Sequence, residues 1–221
     1  FFLPNIDSSS VADVWKLSAA YPEHCFPMMG LHPCSVKANI EEELAMIEKE
    51  IDKKIYAIGE IGIDLYWDKN FLKEQQHAFK KQISWAKERM LPIVIHCRDA
   101  FDEVLVILNE EQDERLRGIF HCFTGTLEQA EEVIALGFYL GIGGVVTYKN
   151  SGLDKVVEQI DLKHIVLETD SPYLTPVPFR GKPNESAYLH YVAQKVADLH
   201  HTAIETIATI TTQNSKAIFG R

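Results

Sequence analysis

Two histidines and two acidic residues follow apolar runs that resemble buried β-strands. Glu60 ends the run at residues 55–60, His96 lies at the end of 92–96, and His121 follows 118–120. Asp170 lies just past a fourth run, residues 164–168. Imidazole and carboxylate groups together are ligands for zinc, manganese or iron-type ions, whereas sites made of oxygen alone favour magnesium or calcium. These residue types predict hydrolysis by metal-bound hydroxide.

Each of these residues also has an ordinary explanation when it is taken alone. A glutamate at a strand end can be a surface residue, a single histidine is often a core residue, and Asp170 could cap a turn. The repeated order of apolar strand and then ligand favours a shared site. In a barrel of alternating strands and helices, the C-terminal strand ends surround one mouth. We therefore expect Glu60, His96, His121 and Asp170 to converge there.

The elements that would position these residues alternate along the chain. Continuous apolar runs fit strands that are buried on both faces of a parallel sheet. No glycine-rich phosphate loop follows the first strand, which argues against an open dinucleotide-binding sheet. We predict a (β/α)8 TIM barrel. Seven apolar runs alternate with amphipathic segments, at roughly residues 1–3, 26–31, 55–60, 92–97, 118–123, 138–144 and 164–168.

Three sequence pairs have the spacing of a helix capping box, in which the first side chain bonds the backbone three residues later. They are Asn39 with Glu42, Thr126 with Gln129, and Thr202 with Glu205. Gly137 stands where a glycine commonly ends the second of these helices.

Length and charge limit the classes of function. The 221 residues suit one domain, and we predict a single domain over 1–221. The net charge of −10 argues against a broad basic face for duplex nucleic acid. No apolar run is long enough to cross a bilayer, and the four cysteines resemble free thiols, so we expect a cytoplasmic protein without membrane contact. The oligomeric state stays open.

Five motifs in this order resemble the TatD family of metal-dependent deoxyribonucleases, which have an amidohydrolase-like barrel. The resemblance covers essentially the whole chain, and Arg180-Gly181-Lys182-Pro183-Asn184-Glu185 adds a further match. The motifs are Gly30-Leu31-His32-Pro33, Gly59-Glu60-Ile61-Gly62-Ile63-Asp64, Ile95-His96-Cys97-Arg98-Asp99-Ala100, His121-Cys122-Phe123-Thr124-Gly125 and Leu167-Glu168-Thr169-Asp170-Ser171-Pro172-Tyr173-Leu174.

The resemblance implies two divalent metal ions, which would be zinc, manganese or magnesium. Glu60 would bridge them, His96 and His121 would hold one ion, and Asp170 would hold the other. Asp170 would also orient the attacking water or accept its proton as the catalytic base.

Four further residues match family motifs at the mouth and would contact the substrate or a loop that holds it: His32, Arg98, Arg180 and Asn184. For Arg98, an ion pair with Asp99 or Asp102 is an equally good alternative.

The chain departs from the family pattern at its start. The family opens with a His-x-His motif on the first strand, and this sequence has none. Because the chain begins Phe1-Phe2-Leu3 without Met, we expect the first strand and helix to be absent from it.

The leading prediction is an exonuclease that cleaves phosphodiester bonds at single-stranded DNA ends. One alternative is a hydrolase of another ester or amide, such as an aminoacyl-tRNA deacylase, which would use the same ligands. The glutamate at position 60 argues against the hydrolases of the wider class that use a carbamylated lysine. The non-enzyme alternative is an inactive, truncated barrel.

Overall fold

The computed structural model describes residues 1–221 and contains seven strands, which match the predicted apolar runs in order. Eight α-helices separate or follow them. The strands are β1 (Phe2–Leu3), β2 (Phe26–Pro27), β3 (Ile58–Asp64), β4 (Ile93–Arg98), β5 (Gly118–Phe120), β6 (Tyr139–Ile142) and β7 (Ile165–Leu167). The helices are α1 (Val11–Ala20), α2 (Ile40–Glu48), α3 (Leu72–Arg89), α4 (Phe101–Glu111), α5 (Leu127–Ala135), α6 (Leu153–Val157), α7 (Leu189–Leu199) and α8 (Ile204–Phe219).

The chain forms two compact units, Phe1–Ile119 and Phe120–Arg221. The prediction that they make a single domain stays a prediction. No helix is long and apolar enough to cross a lipid bilayer.

In the first unit, β3 and β4 form the parallel pair that carries the candidate ligands. All seven residues of β3 are buried, as expected for a strand that is covered on both faces. The register of the pair shifts between Gly59 and Ile61, so Glu60 lies at an irregularity in the strand. Glu60 was predicted to end its strand, but β3 continues to Asp64 because residues 61–64 keep pairing with β4.

Helix α3 is fixed to this unit by two buried glutamines. The side chain of Gln75 accepts from the backbone N–H of Asp64 at 2.8 Å and donates to its carbonyl at 3.1 Å. Gln82 makes the same two bonds with Leu31, at 2.6 and 3.3 Å. Each glutamine therefore bonds both the backbone N–H and the backbone carbonyl of one residue of this unit, which leaves neither group buried without a partner.

In the second unit, β6 and β7 pair in parallel, with Leu140 opposite Ile165 and Ile142 opposite Leu167. Asn214 of α8 donates to the carbonyl oxygens of Leu162 and Ile165, at 2.8 and 2.7 Å, and so ties the last helix to β7.

Only one of the three predicted capping boxes forms. Thr126 accepts from the backbone of Gln129 and the side chain of Gln129 accepts in return, so this box is confirmed. The predictions for Asn39 and Thr202 are wrong. Asn39 begins α2 without a capping bond, and α8 is capped at Ala203, one residue after Thr202. The side chain of Asn39 instead lies near Glu43 on the surface, at 3.5 Å.

Candidate metal centre

The first unit brings together three of the predicted site residues, Glu60 on β3, His96 on β4 and His32 from the segment before α2. The Nε2 atom of His32 lies 3.1 Å from Glu60 Oε2 and 3.2 Å from His96 Nδ1. His96 Nδ1 is 3.8 Å from the same Glu60 oxygen. These distances place an imidazole nitrogen and a carboxylate oxygen within reach of one small cation.

Asp64 fixes the orientation of the His96 ring. Its Oδ2 atom lies 2.8 Å from His96 Nε2, so Nε2 carries the ring proton and Nδ1 keeps its lone pair. The other oxygen of Asp64 accepts from the backbone N–H groups of Tyr66 and Trp67. Burial alone would raise the pKa of Asp64, but the hydrogen bonds from His96 and from these N–H groups lower it to about 2. The carboxylate is therefore charged at neutral pH.

His32 acts as a hydrogen-bond donor in this group. Its Nδ1 atom accepts from the backbone N–H of Cys34 at 3.1 Å, which leaves the proton of the neutral ring on Nε2. His32, Cys34 and His96 also lie close enough to hold a metal ion. Burial, followed by the charge of Asp64, raises the pKa of the Cys34 thiol to about 12. A protonated thiol is a poor ligand, so Glu60 and His96 are the better candidates.

The second unit brings together His121, Asp170 and Glu168. Glu168 Oε2 lies 2.8 Å from His121 Nδ1, and Glu168 Oε1 accepts from the backbone N–H of Cys122 at 2.6 Å. The ring proton of His121 is therefore on Nδ1, and the lone pair of Nε2 faces Asp170 Oδ1 at 3.2 Å. A lone pair that faces a carboxylate is an arrangement that a cation stabilises. Gly141 leaves the space for Glu168, because a Cβ atom there would collide with its carboxylate.

The loop that carries Asp170 is held by buried Asn184. The side-chain amide of Asn184 donates to the carbonyl oxygens of Thr169 and Tyr173, the latter at 2.8 Å. Its backbone N–H donates to the carbonyl of Pro172 at 2.9 Å. Asn184 was predicted to contact the substrate or a loop that holds it. In the structure its side chain fastens the residues on both sides of Asp170.

The two predicted arginines both stack on aromatic rings. The guanidinium of Arg98 lies 3.7 Å from the centre of the Tyr66 ring, and it forms no ion pair with Asp99 or Asp102. The guanidinium of Arg180 lies 4.1 Å from the centre of the Tyr148 ring. Arg180 and Tyr148 line an open pocket in the second unit, together with Lys149, Asn150, Ser151 and Val177.

The surroundings of His96 and His121 fit the binding of a divalent metal ion. In each histidine, one ring N–H donates a hydrogen bond to an outer carboxylate and the other ring nitrogen faces an inner carboxylate. This is the usual environment of a metal-ligating histidine. The outer carboxylates, Asp64 and Glu168, were not predicted as site residues from the sequence. Both lie inside the family motifs, Asp64 as the last residue of Gly59-Glu60-Ile61-Gly62-Ile63-Asp64 and Glu168 two residues before Asp170.

Comparisons with known proteins agree with these features. A sequence model described as TatD related DNase matches residues 1–220. The uncharacterized metal-dependent hydrolase YabD of Bacillus subtilis is 47% identical over 196 residues, which are 88% of this chain and 77% of that protein. The 3′-5′ ssDNA/RNA exonuclease TatD of Escherichia fergusonii is 34% identical over 212 residues, covering 93% of this chain and 81% of that protein.

The crystal structure of YjjV, a TatD homologue from Escherichia coli, superposes with a TM-score of 0.93 at 28% identity. The match covers 100% of this chain and 86% of that one. It confirms the predicted barrel class of fold, and the relatives confirm the prediction of a metal-dependent hydrolase. On the family match and these relatives together, the chain belongs to the TatD related DNase family.

Proposed function

We propose that this protein removes nucleotides from the ends of single-stranded DNA by metal-dependent phosphodiester hydrolysis. One observation carries the proposal. In each unit, a histidine whose tautomer is fixed by an outer carboxylate turns its unprotonated ring nitrogen toward an inner carboxylate, His96 toward Glu60 and His121 toward Asp170. The name of the Escherichia fergusonii relative, a single-stranded DNA and RNA exonuclease, supports this class of substrate.

Four residues would hold the metal, namely Glu60, His96, His121 and Asp170. Two divalent ions would be held by these four residues, with Glu60 as a ligand of both. The mixture of imidazole and carboxylate favours zinc or manganese over magnesium. When bound, such ions polarise the phosphoryl group, lower the pKa of water and offset the charge that develops on the leaving oxygen.

Asp170 is the residue best placed to take the proton of the attacking water. Its side chain is 29% exposed, so water can reach it, while Asn184 holds the backbone on either side. A carboxylate in this position accepts a proton as bond formation begins, which is the role of a general base. His32, whose Nε2–H faces Glu60 Oε2 at 3.1 Å, would contact the substrate phosphate or a loop that holds it.

The test uses single-stranded DNA labelled at either end, with protein stripped by a chelator and reloaded with manganese, zinc or magnesium. We expect single nucleotides to be released only after reloading. Asp170→Asn keeps the shape of the side chain but removes the negative charge that lets it accept a proton. The substitution should lower turnover by about 10²–10⁴-fold. Asp13→Asn, an exposed position on α1, is the matched control and should keep full turnover.

Two results would contradict the proposal. Unchanged turnover in Asp170→Asn would exclude this role for Asp170. If no ion supports nucleotide release while an aminoacyl ester is hydrolysed, the protein is an ester hydrolase of the alternative kind. Metal content measured in each of the four ligand variants then tests the ligand assignments, because loss of a ligand should lower the number of ions bound.

A further inference from the structure

Two exposed aromatic residues and an arginine lie beside the histidine group of the first unit. Trp67 is 71% exposed and Tyr66 is 52% exposed, which is unusual for side chains of this size. Their rings meet at 90°, with centres 4.9 Å apart. The guanidinium of Arg98 covers one face of Tyr66 at 3.7 Å and lies 5.7 Å from the Trp67 ring. We call Tyr66, Trp67 and Arg98 the aromatic platform.

The backbone of the platform is fixed to the same strand ends that carry the candidate ligands. The N–H groups of Tyr66 and Trp67 donate to Asp64 Oδ1, at 3.0 and 3.1 Å. The other oxygen of Asp64 contacts His96, so one carboxylate holds both the platform and a candidate metal ligand. The N–H of Leu65 donates to the carbonyl of Arg98 at 2.9 Å, which ties the loop to β4 as well.

This arrangement suits a nucleobase with a phosphate beside it. Aromatic side chains stack with bases of any sequence, since every base has a π face. The planar guanidinium of Arg98 is held by its contact with Tyr66 and stays exposed, so its N–H groups can reach a phosphate oxygen. A net charge of −10 offers little general attraction for a polyanion, so local stacking and one placed cation become more important for binding.

We propose that the aromatic platform binds a nucleobase of the single-stranded substrate, with the base stacked on the indole of Trp67 and the adjacent phosphate bound by Arg98. The proposal rests on the proposed function for its substrate, and it adds a base-binding site made of residues other than the metal ligands. The occupant is a base of a nucleic-acid strand, and contact with another protein molecule is the competing outcome.

The test compares two ligands of equal length and charge, hexathymidylate and its abasic analogue. Calorimetric titration into the full chain in the presence of a chelator gives the Kd of each without hydrolysis. We expect hexathymidylate to bind about tenfold more tightly than the abasic strand, as expected for stacking of a single base. It should also quench tryptophan fluorescence, because Trp67 is exposed, whereas Trp15 is half-buried and Trp85 is buried.

Variants separate stacking from other effects. Trp67→Ala should weaken hexathymidylate binding about tenfold and remove the preference over the abasic strand, whereas Trp67→Phe should keep most of it. Tyr21→Ala is the matched control, because the side chain of Tyr21 is exposed to a similar extent, 56%, and lies directly after the C-terminal end of α1. With metal-loaded protein, Trp67→Ala should raise the KM for hexathymidylate about tenfold and change kcat much less.

The outcomes are distinct. Equal affinity of the unaltered protein for the two strands, or a Trp67→Ala variant that binds as tightly as Tyr21→Ala, would overturn the platform. If Trp67→Ala has a lower molecular mass than the unaltered protein in analytical ultracentrifugation but binds DNA equally well, Trp67 contacts another protein molecule. That result would also overturn the platform as a base-binding site. If nucleotides are released but binding does not depend on bases, only the platform fails. If base-dependent binding is present but no ion supports hydrolysis, only the proposed function fails.

Discussion

At the scale of single residues, the structure adds two outer carboxylates, those of Asp64 and Glu168, to the predicted site. Asp64 and Glu168 each determine which nitrogen of a histidine carries the proton. A histidine in the wrong tautomer would present an N–H group to the ion instead of a lone pair. The identity of the ligands therefore explains only part of metal binding.

Glu168→Gln tests this role at His121. An amide has a single acceptor oxygen, so it cannot accept from both His121 Nδ1 and the Cys122 N–H, which now use separate carboxylate oxygens. We expect the affinity for the divalent ion to fall about 10–100-fold, with little change in far-ultraviolet circular dichroism. Metal titration by competition with a chromophoric chelator measures this. Affinity equal to that of the unaltered protein would show that Glu168 does not position His121.

The lowered pKa of Asp64 gives a prediction for acid stability. The pKa of this carboxyl group is near 4 in the unfolded chain and about 2 in the folded protein. The charged carboxylate therefore stabilises the folded protein above about pH 4, and this stabilisation is lost as the pH falls from 4 to 2. Asp64→Asn should therefore be less stable than the unaltered protein at pH 7, by about 1.5–3 kcal/mol, and the difference should shrink toward pH 3. Urea unfolding at both pH values measures it. A difference that stays constant would show that the charge of Asp64 is unimportant.

At the scale of elements, the structure changes the interpretation of the motif around Asn184. The sequence resemblance indicated a substrate contact or a contact with a loop, and the hydrogen bonds support the second. Asn184 holds the turn after β7, in which Asp170 adopts a positive φ of 51°. A non-glycine residue in that conformation needs its neighbours to hold it in place.

Asn184→Ala should affect both stability and catalysis. Two carbonyl oxygens, those of Thr169 and Tyr173, lose a donor, and the loss of two such hydrogen bonds costs about 1–3 kcal/mol in total. We expect a lower free energy of unfolding by about that amount and a fall in kcat that exceeds any change in KM. Asn39→Ala, at an exposed position without a capping bond, is the control and should change stability by less than about 0.5 kcal/mol. Equal effects of the two changes would contradict this role.

At the scale of the whole molecule, metal binding and folding should be linked. The candidate ligands come from segments that are far apart in sequence, so the unfolded chain has no preformed site. A ligand that binds only the folded protein stabilises it by mass action, by about 2.7 kcal/mol at one hundred times its Kd.

Removing the metal should therefore lower the Tm, and adding it back should restore the Tm in a manner that depends on ion concentration. Differential scanning calorimetry of stripped and reloaded protein measures this. A variant with both His96→Ala and His121→Ala should show little response to added ion. A Tm that does not change with metal would indicate that these residues are not ligands in the folded protein.

The amino-acid sequence by itself determined the order of elements and the residue types of the site. The run of residues 55–64 is apolar except at Glu60 and Asp64, so burial of β3 followed from composition. Glu60, His96, His121 and Asp170 could be named because only a few residue types bind divalent ions, and those types occurred in the motifs of one family. The seven strands could be predicted because the pattern of apolar residues is a local property of the chain.

Only the tertiary structure decided what each polar side chain bonds to. The capping box at Thr126 forms, while the equally spaced pair at Thr202 begins one residue before Ala203, the N-cap of α8, so equal spacing alone does not fix where a helix begins. The pairing of His96 with Asp64 and of His121 with Glu168 spans 32 and 47 residues, respectively. Such hydrogen bonds depend on where strands place their ends in space, and no local pattern in the sequence records that distance.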